Sequence, residues 1–189
     1  STNPREQKIF SLPDYIGTMI ERGWTGDKVG RGFYKRGEAE HKHVTALDVN
    51  TFEYGTAMGI NAESLTAALK IQDPIKRLVT ISSSDDIAGR VAWRVISGVM
   101  SYAAQLVGPV AYDIVSIDRT MRWGFGWRVG PFQAWDSMGV SETVRRMHND
   151  QLEIPEWILN LARAGRPFYL TERNSSLQAT PNGSYSPIN

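Results

Sequence analysis

The chain has 189 residues, 41% of them apolar, with 21 Lys plus Arg against 20 Asp plus Glu and a net charge of +1. That balance supplies no field to gather nucleic acid or an anionic membrane, and the absence of cysteine excludes disulfides, thiolate nucleophiles and Cys-ligated metals. No apolar run is long enough to span a bilayer, and a cysteine-free chain fits a cytoplasmic location. Ser1 in place of a starting Met reads as an excised fragment or a vector-derived start, and STNPREQK lacks a signal peptide's apolar stretch.

In chain order, Leu12-Pro13-Asp14-Tyr15-Ile16 opens a short helix with proline in its first turn, an acid beside it, and Gly23 as stop. The glycine-rich run Thr25 to Gly32 lacks the G-K-[ST] ending of a P-loop, so a chain reversal locked by Phe33 and Tyr34 is expected there. A phosphate-contacting loop is the competing reading of that run. His41 and His43 stand at a metal-like spacing but have no third ligand nearby, and no metal site is expected. Val44 to Tyr54 has a turn signal at Asp48-Val49-Asn50 between β-favouring residues and predicts a hairpin. Ala62 to Lys70 reads as a helix capped by Asn61, and Asp73-Pro74 starts another.

Ser82 to Asp86 sets hydroxyls and acids ahead of the longest helix, which the pattern extends from Asp86 to Val107. Its expected buried stripe is Ile87, Val91, Val95, Val99, Ala103 and Leu106, with Trp93 off it. Gly108-Pro109 ends that helix and leads into the next. Ile114, Ile117 and Met121 then lie on one helical face before a break at Gly124 and Gly126, interleaved with Trp123, Phe125 and Trp127. Gly130-Pro131 restarts a helix. Ser141 is expected to cap a helix that runs to His148, a residue placed to compensate the helix dipole. After Leu170 the Ser-, Asn- and Pro-rich tail predicts a disordered linker over 171–189.

Two patterns organise these elements. Ile154-Pro155-Glu156-Trp157-Ile158 echoes residues 12–16; Gly165 follows Pro155 by ten positions, as Gly23 follows Pro13. Both copies then reach Phe-Tyr, at Phe33-Tyr34 and Phe168-Tyr169. A repeated ending implies two repeated units, so 1–60 reads as the tail of a first repeat plus connector and 61–170 as a second repeat.

The other pattern is Asp118, Met121, Gly124, Gly126, Gly130, Pro131, Phe132, Asp136 and Gly139. Its order resembles the D-x-A-M-x-x-G-x-G-x-x-x-G-P-F-x-x-x-D-x-x-G signature in the C-terminal helical domain of (S)-3-hydroxyacyl-CoA dehydrogenases, with Thr120 in place of the alanine. The spacing is closest to the form fused to an enoyl-CoA hydratase. Gly26, Lys28, Gly30, Gly32, Phe33 and Tyr34 likewise resemble the end of that family's first helical repeat.

The resemblance implies a mainly α fold, like the C-terminal domain of 6-phosphogluconate dehydrogenase, with a short β-hairpin connector. It implies oxidation of 3-hydroxyacyl-CoA to 3-ketoacyl-CoA in fatty-acid β-oxidation, with NAD held by a Rossmann domain that these residues do not contain. The family's catalytic histidine sits in an H-F-x-N-P-like setting, which His41, His43 and His148 do not match, so no catalytic residue is carried over. Asp118 to Gly139, with Trp123, Phe125 and Trp127, is expected to serve packing and an interface. The implied partners are the first helical repeat, the Rossmann domain, acyl-CoA in the whole enzyme, and a second copy in a homo-oligomer. The competing reading is a free-standing helical interaction module without catalysis.

Overall fold

The computed structural model describes residues 11–37, 44–57, 59–172 and 175–188; His41 and His43 lie outside them. The chain divides into two compact units, 1–60 and 61–189, each described separately below.

In the first unit, α1 (Asp14–Glu21) begins after Pro13, as its fixed φ favours. It ends in a left-handed residue, Gly23 at φ +68°, with Gly23 N–H donating to the Ile20 carbonyl and Trp24 N–H to that of Met19. This double closure satisfies two of the helix's last carbonyls. The glycine-rich run turns through Asp27–Val29, and Gly32 passes so close to Gly26 that an added Cβ would meet its Cα at 2.9 Å. A three-stranded antiparallel meander follows: β1 (Tyr34–Arg36), β2 (Val44–Leu47) and β3 (Tyr54–Thr56).

The second unit is a helical bundle closed by a second meander. Its helices are α2 (Glu63–Leu69), α3 (Pro74–Ser82), α4 (Ile87–Leu106), α5 (Ile114–Gly124), α6 (Pro131–Met138), α7 (Val140–Asn149) and α8 (Glu156–Arg163). Carboxylates of Asp73, Asp86 and Asp113 accept from the backbone N–H of Lys76, Gly89 and Ser116, capping α3, α4 and α5. The core is aromatic at its centre: Phe168 lies 5.0 Å from Phe132 and 5.2 Å from Trp135, ring centre to ring centre. Met100, Ile114, Met147 and Ile158 surround them, all fully buried.

Five expectations are corrected. Asn61 does not cap α2; Ala62 occupies the cap position without a side-chain bond, while the Ser64 N–H and hydroxyl both donate to Asp86. The segment after Gly108-Pro109 stays non-helical until Asp113, whose side chain caps α5. Gly139, not Ser141, precedes α7, and the Ser141 hydroxyl donates instead to the Ala162 carbonyl.

The stripe on α4 is turned outward over its first half. Ile87, Val91 and Val95 are 44%, 55% and 61% exposed, while Ala103 is buried as expected, together with Trp93, Ile96, Met100 and Ala104. The larger side chains bury more apolar area, and Gly89, Ser97 and Ser101 let neighbours approach that face closely. Ser101 donates to the Glu153 carbonyl at 2.7 Å, so its hydroxyl is compatible with burial.

The largest correction is the tail. Residues within 171–189, expected to be a disordered linker, complete β4 (Tyr169–Glu172) and form β5 (Ser175–Ala179) and β6 (Tyr185–Pro187), paired in the order 4-5-6. Gln178 and Ala179 are buried. Polar composition misleads here because the order comes from hydrogen bonds: Ala179 N–H donates to the Phe168 carbonyl, and the Gln178 amide reaches Asp113 and the Val115 N–H.

Candidate functional site: two aspartates behind an aromatic corner

The corner between α5 and α6 closes on Met121, whose carbonyl accepts from the N–H groups of Phe125 and Trp127. Gly126 makes the reversal at φ +69°, while Gly124 remains in the helix. Trp127 is half-buried and packs against the core. Trp123 and Phe125, at 75% and 70% exposed, face solvent. The three rings therefore separate into one packing group and two surface groups.

Behind the corner stands Asp118, 2% exposed. Its carboxylate accepts from Phe132 N–H at 2.9 Å, Gln133 N–H at 3.0 Å and the Tyr169 hydroxyl at 2.8 Å. It thus holds the first turn of α6, where backbone donors have no helical partner. Gly130 is required by this contact: an added Cβ would lie 2.3 Å from Asp118 Cγ. Pro131 starts the helix without needing a donor, and Gln133 Oε1 accepts from Gly130 N–H.

Asp136, one turn further, accepts from the N–H groups of Phe168 and Tyr169 at 2.6 and 2.9 Å. It ties β4 to α6 and sets the depth of the Phe168 ring against Phe132 and Trp135. Gly139, at φ +83°, then turns the chain between α6 and α7.

Burial pushes both carboxyls up, to about 6 each, against the pull of their hydrogen bonds. For Asp136, the nearby Asp118 adds to the rise. The Tyr169 hydroxyl is pushed far above its ordinary value by burial and by Asp118, so it remains a donor. Arg122 and Arg128 lie on the open side of Asp136 and Tyr169, lining a shallow depression with Gln133 and Ser137.

Chemically, the arrangement is a pair of carboxylate staples with both oxygens of each engaged by protein donors. Asp118, Met121, Gly124, Gly126, Trp127, Gly130, Pro131, Phe132, Asp136 and Gly139 are brought together in one corner; Trp123 and Phe125 hang outside it. The sequence reading missed Tyr169 and Gln178 as members of the network. The Phe-Tyr echo marked Tyr169 as repeated, while Gln178 had no signal.

A nicotinamide dinucleotide does not fit the glycines of the corner. They follow a helix, where a pyrophosphate loop follows a strand, and Trp127 packs into the space beside them. Among the described residues no helix is long and apolar enough to cross a membrane.

Comparison with known proteins bears on the same segment. Residues 89–167 match the family model described as 3-hydroxyacyl-CoA dehydrogenase, C-terminal domain. A Bacillus subtilis (strain 168) protein provisionally named 3-hydroxyacyl-CoA dehydrogenase is 33% identical over 183 residues, covering 97% of this chain and 23% of that protein. A Rickettsia felis protein provisionally named fatty acid oxidation complex trifunctional enzyme is 27% identical over 166 residues, 84% of this chain and 21% of its own. A Rickettsia prowazekii protein of the same name is 26% identical over 126 residues, 67% and 16% of the two chains. The chain therefore spans less than a quarter of the length of these relatives. No solved structure matches significantly. The glycine–aspartate corner lies inside the matched segment, so the likeness to the C-terminal domain of 3-hydroxyacyl-CoA dehydrogenases falls on the residues that build it.

Proposed function

We propose that this chain is the C-terminal helical portion of a 3-hydroxyacyl-CoA dehydrogenase of fatty-acid β-oxidation. The whole enzyme oxidises 3-hydroxyacyl-CoA to 3-ketoacyl-CoA, with NAD bound by a Rossmann domain outside these residues. The match of residues 89–167 to the family carries the reading. The contribution of this portion is mechanical: it holds the acyl-CoA cleft in shape and presents surfaces to the first helical repeat and the Rossmann domain.

An apolar groove of about 530 Å³ suits that role. Leu65, Leu69, Leu78, Ile81, Val95 and Trp127 line it, and Val91 and Val95 continue the apolar surface along α4. Monomers rarely leave contiguous apolar surface of this kind uncovered, so a packing partner is the simplest use. The same surface would join two copies in a homo-oligomer, in the cytoplasm.

The test is a comparison of the full-length polypeptide with the 189-residue chain. NADH-dependent reduction of acetoacetyl-CoA is expected from the full-length protein, and neither turnover nor NAD binding by calorimetry from the chain alone. A full-length protein inactive towards every 3-hydroxyacyl-CoA tried would leave only a helical interaction module.

A further inference from the structure

The two meanders end two copies of one device. In the second unit, the Trp157 ring meets Phe168 edge-on at 5.9 Å; in the first, Tyr15 meets Phe33 edge-on at 6.4 Å. Ala179 N–H donates to the Phe168 carbonyl, as Leu47 N–H does to that of Phe33. The Tyr185 hydroxyl donates to the carbonyl of Pro167, just before Phe168; the Tyr54 hydroxyl donates to that of Gly32, just before Phe33. The helix ends agree as well, with Gly165 at φ +63° and Gly23 at +68°.

One element of the device differs. In the second unit Phe168 is fully buried under Phe132 and Trp135, and Asp136 takes the N–H groups of Phe168 and Tyr169. In the first unit Phe33 is 46% exposed, Leu12 and Ile20 are also exposed, and the N–H groups of Phe33 and Tyr34 have no acceptor among the described residues. The β1–β2 register, Tyr34 opposite Ala46, points the Tyr34 N–H away from β2. Two adjacent donors beside an exposed aromatic ring are the mould of α6 with its aspartate removed.

We propose that the Phe33–Tyr34 edge is a docking site for a helix built like α6. That helix carries an aspartate whose carboxylate accepts both N–H groups, and apolar side chains that cover Phe33. The inference rests on the reading of 1–60 as the tail of a first repeat and names what completes it. Chemical complementarity selects the occupant: paired backbone donors call for a carboxylate, and the second unit exhibits that seat filled. Asp136 of a second copy is already engaged on both oxygens by its own Phe168 and Tyr169, which argues against a second copy as occupant. The relatives have more than three-quarters of their length outside the region matched, ample for such a helix.

Amide hydrogen exchange tests this without reference to catalysis. In the 189-residue chain, the amides of Phe168 and Tyr169 should exchange about a hundredfold more slowly than those of Phe33 and Tyr34. In the full-length polypeptide all four should be slow, and Phe33→Ala should speed exchange at Tyr34 while leaving Phe168 and Tyr169 unchanged. Slow exchange at Phe33 and Tyr34 in the dilute chain would overturn the vacancy. Protection that grows with chain concentration would assign the seat to a second copy and overturn the occupant. Fast exchange at both in the full-length protein would overturn the docking. Dehydrogenase activity is scored separately: an active protein with Phe33 and Tyr34 unprotected retires the docking alone, and an inactive one with them protected retires the dehydrogenase reading alone.

Discussion

Replacing Asp118 by alanine sets two large effects against each other. A carboxyl moved from its ordinary 3.8 to about 6 by burial carries an electrostatic penalty near neutral pH of about 3 kcal/mol. Removing it relieves that penalty. The same change strips an acceptor from Phe132 N–H, Gln133 N–H and the Tyr169 hydroxyl. Each buried donor left unsatisfied costs about 1–3 kcal/mol, and bonds to a charged acceptor lie in the upper part of that range. Phe132 is fully buried, so water cannot take over at its amide. The losses outweigh the relief, and Asp118→Ala should destabilise the chain by about 3 kcal/mol net. Urea unfolding at pH 7, followed by tryptophan fluorescence, measures this directly. Tyr169→Phe should cost about 1 kcal/mol in the parent but recover about 1 kcal/mol beside Asp118→Ala, because it removes the hydroxyl donor that the alanine leaves unpaired. An Asp118→Ala chain as stable as the parent would refute the staple and show burial of the charge to dominate.

The other perturbations probe neighbouring parts of the corner. Gly130→Ala drives a Cβ to within 2.3 Å of Asp118 Cγ and should cost about 2–3 kcal/mol, read as a fall in unfolding midpoint; tolerance would mean that α6 can shift away. Trp127→Ala should lower stability by about 2–4 kcal/mol, while Trp123→Ala and Phe125→Ala should stay within about 0.5 kcal/mol. If Trp127→Ala leaves stability intact but weakens acyl-CoA binding by the full-length protein, the corner is a substrate surface. For pH, Asp118 and Asp136 have raised values, so the folded state keeps protons that the unfolded chain releases between about 4 and 6. Their contribution is fully present below the ordinary carboxyl range and is lost as pH rises through about 6. Asp86, held low first by the Ser64 hydroxyl, acts only below that window. The thermal midpoint should therefore fall from pH 5 to pH 7; a rise would mean that the donors around both carboxylates outweigh burial. Deleting residues 175–188 should lower stability, because the Gln178 amide and Ala179 leave the core edge.

Local chemistry was legible wherever one residue decides the backbone. Asp73 and Asp86 stand at helix starts because their carboxylates meet free N–H groups a few residues on. Gly23 and Gly165 sit where the chain must turn left-handed. The α4 face was not legible from the valines, since period alone does not say which of two apolar faces has a neighbour. Trp93 decides it: its Nε1–H reaches Asp150, and Arg146 lies 3.9 Å above its ring. Asp118 serves Phe132 and Gln133, beyond the glycine turn. Such a contact depends on how α5 and α6 cross, which no sequence spacing encodes.

The tail shows why the second meander escaped a reading by composition. VTALDVNTFEY and SSLQATPNGSY share little beyond the final tyrosine, yet Leu47 and Ala179 donate to equivalent carbonyls, as do Tyr54 and Tyr185. What recurs is a set of backbone obligations: the carbonyls around a Phe-Tyr pair must be met, and a three-stranded meander with one inward-reaching tyrosine meets them. The second meander meets them with a strand sequence rich in Ser, Thr and Asn, residues that favour turns and solvent. In the second unit the opposite side of the Phe-Tyr pair is closed as well, by a carboxylate that faces two adjacent N–H groups. Asp136 stands there four residues after Phe132, one helical turn, so that a single short helix supplies both the ring that covers Phe168 and the acceptor that anchors it.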